Sequence, residues 1–397
     1  MPAILLKELP PPPAGKTGWP WTDATSSPLK EIPTNERYPG ISVVTPSYNQ
    51  GSFLEETIRS VLLQAYPGLE FIIIDGGSTD NSVDIIRKYE PWITYWVSEP
   101  DAGQTYAINK GIQRATGDIL SWLNSDDILC PGALQRVAEQ FAGIPEVDLV
   151  YGDCEMIDDS GNVFSRFDVR IGDLAGLLEE NFISQPSAFF SRRALDAAGG
   201  LDSELHYAMD YDLWIRMFLK KMKVCYDPAV LSRFRYHTTS KSGVKSVQFG
   251  YEVLNLLDKI DKAMDRSMLP ALLQAYHRTF GTIIDLHRQT ASNEEVLHNA
   301  VIKLLGIWVS HIERHYSFYA AVPRLLAQSY YTIGNHYCLM NHVHEGRRYF
   351  ARACRADSAI KGRGFFAWFM TFFGAFPFKW YYRDEAADPK PHCAKSS

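Results

Sequence analysis

This sequence of 397 residues lacks cysteine pairs, basic blocks and long apolar runs. Its six cysteines are scattered without a CxxC pair, which argues against a zinc site or a disulfide framework and suits reduced thiols. The formal net charge is -6 and Lys and Arg form no long block, so nucleic acid is not an expected partner. No apolar run reaches the roughly 18 residues that a membrane-spanning helix needs.

No secretory leader is expected either, because the apolar stretch 1–6 is short and prolines 10–13 follow at once. We therefore expect a cytoplasmic protein. Residues 1–38, rich in Pro, Gly, Ser and Thr, are interpreted as an irregular arm. The aromatic segment 365–378 is flanked by Lys and Arg and has two interpretations: contact with the inner face of a membrane, or packing as core.

From residue 41 short apolar runs alternate with helical patterns, which predicts a parallel sheet covered by helices. The predicted strands cover 41–45, 71–74, 93–97, 119–123 and 149–151, and the predicted helices cover 52–63, 82–89, 104–114, 131–141 and 208–219. Ser52 and Glu55 have the spacing of a capping box. No GxGxxG follows the first strand, which excludes a dinucleotide-binding oxidoreductase. The α/β domain is placed at 39–245 and a helical region at 246–397.

Polar segments follow two of the predicted strands, at 45–49 and 75–80. Ligands of such sheets bind beyond the carboxyl ends of the strands. A carboxylate at a strand end, such as Asp75, can accept a hydrogen bond from a base or a ribose. The same segments also have ordinary turn chemistry, so each one alone leaves both interpretations open.

Two adjacent carboxylates, Asp126 and Asp127, follow the strand that ends near Leu123. Such a pair is unfavourable at the edge of a buried strand unless a cation compensates its charge. Hard oxygen ligands of this kind suit Mg²⁺ or Mn²⁺. The alternative is a solvated loop in which Asp127 caps the next turn.

Two further segments carry groups with chemical potential. Asp210 and Asp212 open a predicted helix, where an Asp either caps the helix or acts as a general base. Arg233, Arg235 and His237 follow a predicted strand. Imidazole can complete a metal shell and Arg can neutralise a diphosphate, although a lone His is more often structural.

In this order and at these separations the segments resemble glycosyltransferase family 2, over about residues 41–239. The motifs that carry the resemblance are VVTPSYNQGSFLEETIRSVLLQ, IIIDGGSTDNS, SEPDAGQTYAINKGIQRATGD, WLNSDDILCPGAL, QPSAFFSRRAL, AGGLD and MDYDLWIR. The resemblance implies a GT-A fold, in which a Rossmann-like mixed sheet binds a nucleotide-diphosphate sugar. The opening GKTGWPWT is similar to that of bacterial members.

The resemblance also implies roles for single residues. Those expected to bind the nucleotide or the donor sugar are Thr45, Pro46, Tyr48, Asp75, Gly103, Asn109, Lys110, Asn124, Ser125 and Asp127. Asp126 and His237 are expected to hold Mn²⁺ or Mg²⁺, with Asn124 in place of the first acid of the family's motif. The catalytic base maps to Asp210, with Asp212 as the competing candidate. Acceptor contacts are expected near Gln185 and Pro186.

The implied reaction is a single displacement with inversion, from a UDP-sugar by family habit to a hydroxyl of a glycan or of a lipid-linked acceptor. Polysaccharide or lipopolysaccharide assembly is the expected setting. The alternative is an inactive GT-A scaffold or a nucleotide-sugar-binding partner protein, because the metal motif is altered and a helical region is added. A sugar-phosphate nucleotidyltransferase is disfavoured because the loop after the first strand lacks basic residues.

Overall fold

The computed structural model describes residues 4–23, 39–237, 247–264, 266–290, 294–315 and 322–357. The chain divides into two compact units, Met1–Ala275 and Tyr276–Ser397. The predicted domain limit at residue 245 stays a prediction. The segment 365–378 lies outside the described residues, and so does its proposed membrane contact. None of the described helices combines the length and the apolar character that a membrane span requires.

Nine strands of the described chain form one mixed sheet in the first unit. They are β1 (Ile41–Ser47), β2 (Leu69–Asp75), β3 (Tyr95–Ser98), β4 (Ile119–Trp122), β5 (Ile128–Leu129), β6 (Leu149–Ile157), β7 (Val163–Arg166), β8 (Ala188–Ser191) and β9 (Val224–Arg235). The spatial order is β3-β2-β1-β4-β8-β6-β9-β5, and β7 pairs with β6. Strands β1 to β4 are parallel, whereas β8 is antiparallel to both β4 and β6. The α/β class with a mixed sheet is confirmed: β1 to β4 are parallel to one another and β6 is parallel to β9, whereas β8 runs antiparallel between them.

The described helices agree closely with the sequence pattern. They are α1 (Leu54–Leu62), α2 (Ser82–Tyr89), α3 (Gln104–Arg114), α4 (Ala133–Gly143), α5 (Leu174–Glu179), α6 (Arg192–Ala198), α7 (Met209–Leu219), α8 (Val247–Ala263), α9 (Leu269–Thr290), α10 (Glu294–His315), α11 (Val322–Leu339) and α12 (Val343–Ala356). Helices α2 and α3 have the predicted limits. The helical region after residue 246 is confirmed by α8 to α12.

The predicted capping box of α1 is wrong. The helix begins at Leu54, its N-cap is Phe53, and no side-chain hydrogen bond caps it. The preceding residues instead belong to a turn, because the N–H groups of Gln50 and Gly51 are bound by Ser82 and Asp80. Ser52 therefore lies before the helix.

Helix α3 lies unusually close to the sheet. A Cβ atom added at Gly111 would lie 2.3 Å from Cγ1 of Val44, so a larger residue does not fit without displacement of β1. Only hydrogen at this position allows such an approach. The close contact fixes the height of α3 over the sheet, and its N-terminal end then lies beside the loops that follow the strands.

The N-terminal arm is irregular, as expected, but its described part 4–23 is packed on the first unit. Arg59 of α1 is fully buried and donates to the carbonyl oxygens of Pro10, Pro20 and Trp21 and to the hydroxyl of Tyr89, at 2.8–3.0 Å. A buried cation needs such acceptors. The arm therefore supplies the polar shell of a residue in the helix that follows β1.

The second unit contains the predicted helix pair at 325–356. Helices α11 and α12 pack together across a short connection, which requires an antiparallel arrangement. A Cβ at Gly346 would lie 2.4 Å from Sγ of the buried Cys338, so the small residue is what allows this close packing.

We predict that Arg59→Met lowers the free energy of unfolding by about 3 kcal/mol, because several buried carbonyl oxygens lose their donor. Urea denaturation measures the change. The matched control is Arg87→Met on the adjacent helix α2; this side chain is 62% exposed and its ion pair within the described residues is with exposed Asp84. The control should shift stability by less than about 0.5 kcal/mol. Equal effects of the two variants would contradict the role of Arg59.

Candidate active site

The loops that follow β1 and β2 are joined by hydrogen bonds between side chains and backbone. The N–H of Asn49 donates to Oγ of Ser78 at 2.8 Å, and the N–H of Thr79 donates to Oδ1 of Asn49 at 2.8 Å. The N–H of Gly51 donates to the carboxylate of Asp80 at 2.9 Å. Since the acceptors of each loop are used by the other, the two loops form one rigid rim at the carboxyl edge of the sheet.

Asp75, the residue predicted to bind the base, holds the loop after β2 in place. Its buried carboxylate accepts hydrogen bonds from the N–H groups of Gly77 and Ser78, at 3.2 and 2.9 Å. It also accepts from the hydroxyls of Ser78 and Ser98, at 2.6 and 2.7 Å. Contact with a base stays a prediction, while the fixing of the loop is what the structure displays.

The end of β1 carries unsatisfied polar atoms. The hydroxyls of Thr45 and Ser47 are buried and find no hydrogen-bond partner among the described residues. Such atoms are rare in native interiors and call for an explanation. Pro46 is buried between them, and Tyr48 directly after them is 62% exposed. The unpaired hydroxyls and the exposed aromatic ring therefore suit a ligand that has hydrogen-bond donors and acceptors and a flat ring.

The segment predicted to flank the donor sugar lies at the start of α3. Gly103 has φ +115°, a region that favours glycine, and its N–H donates to the carboxylate of Asp101 at 2.8 Å. Asn109 donates to the carbonyl of Leu201 at 3.1 Å, and Lys110 forms an ion pair with Glu99. Both side chains thus have protein partners here, and their contact with a donor stays a prediction.

Asp127 points into the protein. Its carboxylate is fully buried and accepts hydrogen bonds from the N–H of Arg235 at 2.9 Å and from Nδ2 of Asn124 at 3.2 Å. Burial, and then the charge of Asp126, raises the pKa of Asp127 well above its ordinary value. The residue therefore organises the site from within. Ser125, on the same loop, is buried as well.

Asn124, the departure from the family's motif, has three polar contacts. Its amide nitrogen donates to Asp127 and to Oε1 of Gln185, at 3.2 and 3.3 Å, and its amide oxygen accepts from Nε2 of Gln104 at 2.7 Å. An ionised carboxylate at this position could not donate to the buried carboxylate of Asp127. The local structure thus requires a neutral donor at position 124.

The two predicted metal ligands meet. Nε2 of His237 lies 3.0 Å from Oδ2 of Asp126, although 111 residues separate them in the sequence. His237 is buried, and its ring packs on Phe53 with centroids 4.8 Å apart. Adjacent ligands of an octahedral Mg²⁺ or Mn²⁺ stand about 3 Å apart, so this donor pair fits such an ion. Within the described residues no third His, Cys, Asp or Glu joins the pair.

The donors of Arg235 bind groups of the protein in this structure, and its expected contact with a diphosphate stays a prediction. The side chain is 1% exposed, donates to the carbonyls of Asp126, Asp158 and Asp159, and pairs with Glu56 at 2.9 Å. Its neighbour in the strand, Arg233, pairs with Glu155 at 3.1 Å. These cations hold β9 to the loops around it.

The two candidates for the base have different surroundings in the structure. Asp212 is buried and pairs with Arg216 at 2.6 Å, so its carboxylate is occupied. Asp210 is partly exposed, has no side-chain partner among the described residues, and accepts from backbone N–H groups of the first turn of α7. Burial raises the pKa of Asp210 to about 6. A carboxylate that titrates there is poised to take a proton at neutral pH.

Aromatic stacking brings α7 to the acidic loop. Trp214, one helical turn after Asp210, stacks on Trp122 at the end of β4 with ring centroids 6.0 Å apart. Residues four apart lie on the same face of a helix. Asp210 therefore lies on the face of α7 that packs against β4, and the loop with Asp126 follows directly after β4.

A model of the family described as Glycosyl transferase family 2 matches residues 42–198. An uncharacterized glycosyltransferase of Rickettsia typhi is 30% identical over 244 residues, which cover 57% of this chain and 74% of that protein. One of Mycobacterium tuberculosis is 33% identical over 183 residues, 46% of this chain and 70% of that protein. The chain belongs to glycosyl transferase family 2. An uncharacterized glycosyltransferase of Rickettsia conorii matches over 57% of this family 2 chain but only 39% of its own length.

Solved structures confirm the GT-A fold of this family 2 protein. S. aureus TarS 1–349 in complex with UDP-GlcNAc has a TM-score of 0.54 at 15% identity, over 81% of this chain and 92% of that chain. A second crystal structure of S. aureus TarS 1–349 has a TM-score of 0.53. At this identity the likeness concerns the fold alone.

Two polar residues in or near the site were not predicted from the sequence to have a role. Gln104 contacts Asn124, and Glu252 of α8 binds three backbone N–H groups in front of α7. Gln104 lies inside a quoted motif, so the motif could have drawn attention to it. Glu252 lies after the motifs and binds only backbone atoms, which leave no residue pattern.

We predict that Asn124→Asp destabilises the protein by about 1–3 kcal/mol at pH 8, because a third carboxylate then faces Asp126 and buried Asp127. Crowded carboxylates have raised pKa values in the folded state, so protonation relieves the deficit and it shrinks at pH 5. Urea denaturation at both pH values, without divalent ions, measures this. The control is Asn162→Asp, since exposed Asn162 donates to Asp158 in the same way at 3.1 Å. Stability equal to wild type at pH 8 would contradict the prediction.

Proposed function

We propose that this protein is an inverting glycosyltransferase that moves a sugar from a nucleotide-diphosphate donor to a hydroxyl group of an acceptor. The observation that carries the proposal is the meeting of Asp126 and His237 at 3.0 Å, at the edge of the sheet toward which α7 turns Asp210. Asp126 and His237 suit the leaving diphosphate, and Asp210 suits proton removal from the acceptor.

The protein's contribution to a metal site is the pair Asp126 and His237. A bound Mn²⁺ or Mg²⁺ would supply positive charge that stabilises the departing nucleoside diphosphate. The carboxylate and the imidazole are already close to each other, because Arg235 holds the carbonyl of Asp126 and Phe53 packs on His237. The chain thus needs little rearrangement to present both donors.

Asp210 is proposed as the base. A carboxylate whose pKa is raised to about 6 is ionised at neutral pH, and it binds a proton more readily than an ordinary carboxylate. Removal of the acceptor proton during attack makes the hydroxyl oxygen a better nucleophile. Since attack comes from the face opposite the leaving group, an α-linked donor would give a β-linked product.

The donor is proposed to be a UDP-sugar. Support comes from the exposed ring of Tyr48 and the unsatisfied hydroxyls of Thr45 and Ser47 on the rim, which suit a base and its ribose. TarS, whose fold is similar, is described in complex with UDP-GlcNAc. Asp75, Gly103, Asn109 and Lys110 are proposed to complete the donor side.

The acceptor is proposed to be a glycan or a lipid-linked sugar, in polysaccharide or lipopolysaccharide assembly. A cytoplasmic location, with contact between segment 365–378 and the inner face of the membrane, would suit such an acceptor. An inactive scaffold is not favoured, because the Asp126–His237 pair and the raised pKa of Asp210 are both present.

Purified protein should release one nucleoside diphosphate slowly from a panel of nucleotide sugars, only with Mn²⁺ or Mg²⁺ present. We predict that Asp126→Ala lowers this release at least 100-fold, because the charge on the leaving group loses its support. Chromatography of the released nucleotide measures the rate. The control is Asp196→Ala at an exposed position of α6, which should behave as wild type. Absence of turnover and of metal-dependent nucleotide binding in wild type would sink the proposed function.

We predict that Asp210→Asn lowers kcat about 100-fold or more while the protein stays folded. Since the base must be ionised, wild-type kcat should rise with pH, with a midpoint near pH 6, and level off above it. A pH–rate profile measures both effects.

Asp212→Asn is the comparison for the base. It should lower the free energy of unfolding by about 2 kcal/mol, because Arg216 loses its ionic partner, but keep the midpoint near pH 6. If folded Asp212→Asn lost as much kcat as Asp210→Asn, the assignment of the base would be wrong.

A further inference from the structure

Three consecutive backbone N–H groups in front of α7 converge on one carboxylate. Glu252 of α8 accepts from the N–H of His206 at 3.0 Å, of Tyr207 at 2.8 Å and of Ala208 at 3.0 Å. Glu252 is 7% exposed. Successive N–H groups that point to one spot form an anion-binding concavity, and here a side chain of the same protein occupies it.

This contact is unusually strong for a loop. A buried carboxylate is costly unless it is hydrogen-bonded, and bonds to an ionised acceptor are about twice as strong as neutral ones. The three N–H groups compensate the charge of Glu252, and Glu252 in turn fixes the backbone at 206–208. Removal of the carboxylate therefore leaves three donors without their acceptor.

The same helix binds the segment 201–208 a second time. Lys259, two turns after Glu252, pairs with Asp202 at 2.8 Å. Positions seven apart lie on one face of a helix, so α8 presents a cation and an anion to opposite ends of the segment.

Helix α3 holds the segment by its carbonyl groups. Thr105 donates to the carbonyl of Leu205 at 2.5 Å, and Asn109 donates to that of Leu201 at 3.1 Å. The segment 201–208 is thus fixed from two helices, with carbonyls bound by α3 and N–H groups bound by α8.

This arrangement bears directly on the base. Asp210 lies two residues after Ala208, in the first turn of α7. A displacement of 206–208 therefore moves Asp210, and an error of about 1 Å in a reacting group can cost about 100-fold in rate. We propose that Glu252 is a positioning residue that holds 206–208 and so places Asp210 against the acceptor hydroxyl. The inference rests on the proposed function of Asp210.

It also extends the functional unit along the chain. Glu252 lies outside the residues 42–198 that the family model matches, and beyond the predicted domain limit at 245. Glu252 would then support the base from α8, while the helix contributes no atom to the chemistry itself.

The test uses full-length Glu252→Ala, Glu252→Gln and, as the matched control, Asp261→Asn. Asp261 is a partly buried acid of α8 outside the contacts with 201–208. We expect Glu252→Ala to lower kcat about 10- to 100-fold with the donor KM within about threefold of wild type, because the base and not the donor site is displaced. Glu252→Gln, whose amide oxygen still accepts, should recover part of the loss. Asp261→Asn should behave as wild type.

A second readout does not depend on turnover. Hydrogen exchange of the backbone amides at 206–208, followed by mass spectrometry, should be at least 10-fold faster in Glu252→Ala and unchanged in Asp261→Asn. Wild-type kcat in a folded Glu252→Ala would overturn the inference. So would a proportional loss of kcat and donor affinity without recovery in Glu252→Gln, since that indicates collapse of the whole site.

The two proposals fail in different ways. If wild type lacks turnover, the proposed function fails, and unchanged exchange at 206–208 in Glu252→Ala would then remove the structural part of the inference too. If wild type turns over and Glu252→Ala does so equally well, only the positioning role is lost.

Discussion

The buried residue Asp127 ties the acidic loop to two other parts of the first unit, β9 and α1. It accepts from the backbone of Arg235 in β9 and from the side chain of Asn124, while its own carbonyl accepts from Thr57 of α1 at 2.7 Å. An interior carboxylate without these donors would be strongly destabilising. The loop cannot move without breaking these contacts, and Asp126 in this loop meets His237, which follows β9.

The cations near this carboxylate are structural for the same reason. Arg235 adds its side chain to the carbonyl of Asp126 and to Glu56, and thereby joins β9 to α1 and to the acidic loop. The guanidinium of Arg235 thus has protein partners in this structure, and its contact with a diphosphate stays a prediction. The Asp126–His237 pair is the feature of this site that suits a cation from solution.

The sequence predicts the local elements well wherever the apolar period is regular, as in α2 and α3. It fails at the start of α1: Asp80 and Ser82 bind the N–H groups of Gly51 and Gln50 in the preceding turn, and the helix begins at Leu54 without the predicted capping box. The pairing of Asp126 with His237 was predicted from the family resemblance, because 111 intervening residues carry no spacing signal. The partners of Arg235 could not be predicted, because the sequence shows an Arg in the same way whether its guanidinium binds carbonyl groups or phosphate. Glu252 escaped notice because its partners are backbone atoms, common to every residue type.

The hydrogen bonds between the loops at 49–51 and 78–80 have a consequence for how this site can change over evolution. Each loop satisfies the other's N–H groups through Asn49, Ser78 and Asp80. An insertion or deletion in one loop leaves unmatched donors in the other, so a change of length is tolerated only when both loops change together. We therefore expect the two segments to change length together, and new specificity on this side of the site to arise more readily by exchange of exposed side chains such as Tyr48 than by remodelling of the backbone.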